Sequence, residues 1–381
     1  MTNPHELYSK FDQSIWLNSF DRNLTEHGGM NMMILDGVRG VISNPHRYAN
    51  AILESNVYDD AINEFVQTDK SMDNETLYQW LVTKDARTAA DALWPVYDNS
   101  DGQDGYVCLE LPTEAAYETA DTIDAARHLW KRINRENLMV NVPATIQGIL
   151  ATETLIADNI NVNVTHLFLP EDYKAVVKAY LRGLAKNPEP ERVRSVASFS
   201  INELDTFVNQ KLDDLGIAEV QVLKNKTAVS MAKIAYQYYK QIAESEAFRS
   251  EQKRGAKMQR LMWAGISPVD SEKTNSGKNG SERNKLFYEE QLVCANTTVA
   301  LEPEVFDEFL LSGQFLHSLD NDIQSAQRIP PVLDSLQISL STLIPQLREK
   351  SIQMLADSRL AVFTALKNKR LQLVKEYSAQ I

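Results

Sequence analysis

Cysteine is nearly absent from this chain: two residues, Cys108 and Cys294, in 381. Two thiols cannot make a disulfide framework, and their spacing offers no zinc site. The six histidines are scattered, with no H-x-H or H-x-x-x-H pair, so a histidine metal centre is not expected. No G-x-G-x-x-G or Walker segment occurs, and no nucleotide or other cofactor is expected. Positive charge is in deficit: 39 Lys plus Arg against 52 Asp plus Glu give a net charge of −13. Such a surface repels phosphate backbones and anionic lipid, which argues against nucleic-acid and membrane partners. No apolar run approaches the roughly 18 residues of a membrane span. The opening MTNPHELYSKFD is too polar for a secretory signal, so a cytoplasmic location is expected. Glycine (14) and proline (13) are both too few for a collagen-like or low-complexity chain.

What is present is a repeat of short β-rich runs followed by segments of helical period. The runs are SIWLN, GVISN, GYVCLE, LMVNVP, VNVTHLF, SVASFS, QRLMWA and TTVAL. Between them, Tyr173, Val176, Val177, Tyr180, Leu181 and Leu184 follow the i, i+3, i+4, i+7 rule behind Pro170. Ile123, Ala126, Leu129, Trp130 and Ile133 do so after Asp121 or Thr122 as a cap. Eight strands alternating with helices predict an α/β protein, a (β/α)8 TIM barrel formed by the chain as one domain. Extra helices are expected between strands two and three and between six and seven. Residues 266–285, polar and without period, read as a mobile loop, or alternatively a lid, on the catalytic face. A helical extension over 345–381 carries Leu347, Ile352, Leu355, Leu360, Phe363, Leu366, Leu371 and Val374. It is expected to pack over the barrel, or alternatively to form a homodimer contact.

At the strand ends the chain resembles the bacterial branch of the transaldolase family. Family patterns S-x-W-L-D, G-V-T-S-N-P and D-G-Y-V-S-L-E are matched here by SIWLN, GVISNP and DGYVCLE. The following patterns, N-L-M-I-K-V-P-A-T, N-V-T-L-I-F and S-V-A-S-F-F-V-S-R-V-D, are matched by NLMVNVPAT, NVTHLF and SVASFSINELD. The resemblance implies carbon–carbon transfer between sugar phosphates. It implies a strand-four lysine forming a Schiff base, a strand-one aspartate shuttling protons and a strand-three glutamate working with water. A strand-six arginine would hold the phosphate.

Several of those positions differ. Asn141 stands at the lysine position, and a delocalised amide nitrogen cannot condense with a carbonyl. Asn18 stands at the aspartate position, where an amide neither takes nor gives a proton near neutrality. Glu203 stands at the arginine position, reversing its charge, and the strand-seven W-A-S-T is WAGI, two hydroxyls fewer. Glu110, Asn44, Asn163, Thr165, Ser198 and Thr145 match the family. None of the eight runs carries a replacement lysine near its C-terminal end.

Alternation puts Asn163 and Thr165 on one face and Cys108 and Glu110 on one face. Asn18, Asn44, Asn141 and Asn163 would then ring a pocket as neutral amides, with Glu110 as its acid or base. The remaining Thr145, Ser198 and Glu203 would bind substrate. His46 and Arg47, opening a loop after strand two, are a relocated anion anchor or general base, or else a surface loop pair. Glu203 could hold a cationic group or pair with a lysine. His166 is expected between strand and helix as a hydrogen-bonded core residue, and Cys108 as core. The resulting expectation is a cofactor-independent, non-Schiff-base enzyme on a small polar molecule. Its chemistry would be proton transfer, carbon–carbon bond formation or cleavage, or cyclisation. The alternatives are an inactive homologue serving as a binding or scaffold protein, and residual aldolase action on sugar phosphates.

Overall fold

The computed structural model describes residues 4–26, 28–68, 73–266, 286–313 and 319–379. Most of the expected loop, 267–285, lies outside them. The β-rich runs form eight parallel strands: β1 Gln13–Leu17, β2 Val38–Ile42, β3 Tyr106–Glu110, β4 Leu138–Pro143, β5 Val162–Leu167, β6 Ser195–Ser200, β7 Arg260–Ile266 and β8 Thr297–Leu301. They close into one barrel in sequence order, sealed by β1 on β8 in register from Gln13 against Thr297 to Leu17 against Leu301. The two extra helical insertions are present. Helices Pro45–Glu54, Asp59–Thr68 and Asn74–Asn99 separate β2 from β3, and Ile201–Asp214, Thr227–Ala243 and Glu246–Gln252 separate β6 from β7.

Both strand faces are buried, which is why the runs read as nearly continuous apolar segments rather than alternating ones. Trp16, Cys108, Met139, Val196, Met262 and Ala300 fill the barrel, while Val107, Leu109, Val140, Val164 and Leu261 face the helices. Gly40 on β2 makes room for the first of these, because a Cβ there would lie 2.5 Å from the Trp16 ring. Pro170 opens its helix as expected (Pro170–Lys186), whereas the helix expected from Asp121 or Thr122 starts earlier, at Thr119, and ends on Asn134 in the left-handed conformation.

The N-terminal end of the barrel is plugged by charge. Asp104 is fully buried, accepts from Ser14 Oγ (2.7 Å) and Trp16 Nε1 (3.0 Å), and pairs with Arg39 (2.9 Å) and Arg260 (3.0 Å). Burial alone would raise its pKa, but the two guanidinium groups outweigh burial and hold it below the ordinary value. Removing the negative charge by Asp104→Asn leaves Arg260 buried without its counter-ion. We expect a loss of about 3 kcal/mol or more in urea unfolding, and a loss under about 1 kcal/mol would mean the plug is only packing.

At the opposite, C-terminal end runs a single helix, Leu340–Ala379, 40 residues long and so about 60 Å in span. It packs on Pro45–Glu54 and is tied down along its length. Arg348 pairs with Asp172 (2.6 Å) and donates to the His166 carbonyl (3.1 Å). Arg359 pairs with Glu75 (2.7 Å), and buried Lys369 with Asp59 (2.9 Å). Of the apolar positions expected to pack, Leu347, Ile352 and Leu366 are buried, whereas Leu360, Leu371 and Val374 are exposed. No helix among the described residues is long and apolar enough to cross a membrane.

Candidate active site

The C-terminal strand ends present two polar sets. The first crosses four adjacent strands. Ser198 on β6 donates to Asn163 Oδ1 on β5 (2.5 Å), and Asn163 Nδ2 donates to Asn141 Oδ1 on β4 (2.9 Å). Asn141 Nδ2 then donates to Glu110 Oε1 on β3 (2.6 Å). The register explains the chain: Glu110 pairs with Asn141 and Asn141 with Asn163 across neighbouring strands, and inward positions recur every second residue. Asn141, Asn163 and Ser198 are buried.

Glu110 is the chemically distinctive member. Burial pushes its carboxyl up to about 7, and the bond from Asn141 pulls back only in part. Its surroundings account for this. A cavity of about 130 Å³ reaches the carboxyl and is walled by Tyr78, Leu109, Pro112, Leu129, Leu355 and Arg359. Among the described residues none that lines it is a lysine. Leu355 and Arg359 come from the long C-terminal helix, so the cover over Glu110 is built from the far end of the chain. The Tyr78 hydroxyl is pushed up to about 12, first by burial and further by Glu110, against the opposing pull of Arg359. Cys108, one layer below, is buried core, its thiol pushed up by burial and then by the carboxylate above.

The second set lies around β1 and β8. Asn18 Nδ2 donates to Glu302 Oε1 (2.7 Å), and Arg47 Nε donates to Glu302 Oε2 (2.8 Å). Arg47 also holds Glu304 through both terminal nitrogens. Asn44 caps the helix Pro45–Glu54 by accepting from Arg47 N (3.3 Å) and donates to the Asn18 carbonyl (3.4 Å). The four asparagines therefore do not ring one carboxylate: Asn141 and Asn163 lie in the Glu110 chain, Asn18 bonds Glu302, and Asn44 bonds the backbones of Asn18 and Arg47. Glu302 was not singled out from sequence, although a carboxylate directly after TTVAL, at the C-terminal end of a barrel strand, was a usable signal.

Other expected site residues are placed differently. His46 and Arg47 belong to the first turn of a helix, not a loop, and Arg47 is committed to two carboxylates. Thr145 caps the helix Ile146–Ala157 by accepting from Gly148 N and donates to the Ala116 carbonyl, so its hydroxyl is spent on backbone. Ser351 Oγ of the C-terminal helix donates to Glu203 (2.5 Å), and among the described residues Glu203 pairs with no lysine. Thr165 is half-buried, and its Oγ1 has no hydrogen-bond partner among the described residues. His166 sits at an irregularity of β5 with a left-handed backbone (φ 58°) and a buried, unpartnered Nδ1, so it is not the fully bonded core histidine expected. Burial depresses its pKa, opposed by Glu203 and reinforced by Arg348. Among the described residues no group of His, Cys, Asp and Glu could hold a metal ion.

Residues 15–366 match the family model described as transaldolase/fructose-6-phosphate aldolase. A transaldolase of Thiobacillus denitrificans is 34% identical over 94% of this chain and 98% of its own. One of Trichodesmium erythraeum is 33% identical over 96% of both chains, and a protein named transaldolase 2 of a Nostoc species is 36% identical over 77% of this chain and 78% of its own. With the closed barrel, the strand-end motifs and near full-length similarity in agreement, the chain belongs to the transaldolase/fructose-6-phosphate aldolase family.

Proposed function

We propose that this family member works without a Schiff base, as a cofactor-independent enzyme that uses Glu110 as general acid and base on a small polar substrate. The observation that carries the reading is the 2.6 Å bond from Asn141 Nδ2 to Glu110 Oε1. The residue at the position where the family resemblance implies the imine-forming lysine is an amide, and that amide is a donor to the carboxyl. A carboxyl poised at about 7 can both take and return a proton at neutral pH. Because Asn141 occupies Oε1, the proton is exchanged at Oε2. The second N–H of Asn141, which lines the space beside Glu110, is the donor suited to an oxyanion or enolate developing on the substrate. The chemistry suited to these groups is proton transfer at carbon, carbon–carbon bond formation or cleavage through an enolate, or cyclisation. Chemistry of this kind, away from the family's imine route, suits a specialised pathway.

A second reading, retained transaldolase action on sugar phosphates, is favoured by the names and near full-length similarity of the relatives. Borohydride reduction in the presence of fructose 6-phosphate separates the two. Intact-mass spectrometry is expected to show the unmodified chain of 43.1 kDa. A reduced adduct on any lysine would overturn the proposal in favour of the second reading.

A further inference from the structure

The chain from Ser198 to Glu110 has a sense, and its two ends set it. An ionised carboxylate only accepts, so Asn141 must turn Nδ2 toward Glu110 and leave Oδ1 facing Asn163. Asn163 must then give Nδ2 to Asn141 and present Oδ1 to Ser198, which must donate. When Glu110 takes its proton at Oε2, Oε1 still accepts from Asn141 Nδ2 but carries less charge, so the chain favours the ionised carboxylate over the acid. A methyl group in place of the Ser198 hydroxyl would leave Asn163 Oδ1 without its donor.

We infer that Ser198 is a positioning residue that sets the sense of this chain and so holds Glu110 ready to take and return a proton. It acts through Asn163 and Asn141 rather than by touching substrate: it is buried, and its hydrogen is given to Asn163 Oδ1. The inference rests on the reading of Glu110 as the acid–base group, but it can be tested without any substrate.

The test is a pH titration of Glu110 followed by NMR of protein labelled with ¹³C at the glutamate side-chain carboxyls, the signal being assigned by its disappearance in Glu110→Gln. In Ser198→Ala the ionised carboxylate loses the donor that polarises its chain, so its midpoint should rise by about half a pH unit or more. Ser198→Thr should return it to the wild-type value. Ser198→Cys, similar in shape but a weaker donor, should give an intermediate rise and serves if the alanine variant does not fold. A residue that only filled space would leave the midpoint unmoved in the cysteine variant. An unmoved midpoint in Ser198→Ala and Ser198→Cys overturns the inference while leaving the acid–base reading standing. Conversely, full turnover by Glu110→Gln would overturn the acid–base reading and leave a midpoint shift in Ser198→Ala intact.

Discussion

Glu110→Gln is expected to lower turnover by roughly 10²–10⁴-fold, the usual contribution of a positioned acid–base group, while leaving the fold intact. Glutamine matches the carboxylate in shape and can keep its carbonyl oxygen toward Asn141 Nδ2, so the chain from Ser198 loses no partner. What disappears is a group able to exchange a proton near pH 7. The loss should fall on kcat more than on KM, because proton transfer is realised in the transition state. In the wild type, turnover should carry an ionisation near 7 in its pH profile, and that limb should be absent from whatever residual activity the variant retains. If the biological role of the protein survives Glu110→Gln undiminished, the chain serves as a binding or scaffold partner and the catalytic proposal fails. Activity assays on a panel of non-phosphorylated polyols, hydroxyketones and amines, run in parallel for both proteins, would make the comparison.

The same substitution should reverse sign in stability. The folded protein keeps the Glu110 proton up to about pH 7, whereas the unfolded chain releases it near 4.5. Between those values the native state binds more protons, so the contribution of Glu110 to stability is complete below about pH 4.5 and is lost as pH rises through 7. The loss is on the order of 2–3 kcal/mol, allowing for the partial exposure of the group. Asp205, buried and raised to about 6, adds a loss in the same direction across the lower part of the range, starting near 3.8. His166 works the other way: burial disfavours its charged form, so stability gained from keeping it neutral grows as pH rises toward 6.5. The difference between wild type and Glu110→Gln, measured by urea unfolding at pH 5.5 and pH 8.5, isolates the Glu110 contribution. The variant should gain on the wild type by about 2 kcal/mol at the higher pH relative to the lower. Equal differences at the two pH values would mean that the carboxyl is ordinary and that burial does not tune it.

The sequence by itself determined the barrel and the inward positions. A strand of period two that is buried on both faces, and helices of period 3.6 behind Pro170, leave little choice once eight units alternate. Alternation put Asn163 with Thr165 and Cys108 with Glu110 on shared faces, whereas Asn141 and Ser198 were assigned to the pocket by their match to the family's strand-end motifs. The joining of Glu110, Asn141, Asn163 and Ser198 into one hydrogen-bonded chain needed three dimensions, since neighbours across strands are about 20–35 residues apart in sequence, a separation no local pattern encodes. The separation of Asn18 from the Glu110 chain was likewise set by the barrel's closure, which brings β8 beside β1 and so Glu302 to Asn18. Arg47 was legible as a cation near the mouth but not as the partner of Glu302 and Glu304, more than 250 residues away. The long C-terminal helix could be read as apolar on part of its surface; which strand ends it covers could not. Only its path across the mouth sets Leu355 and Arg359 over Glu110, and desolvation under that cover is the physical reason this carboxyl keeps its proton to neutral pH.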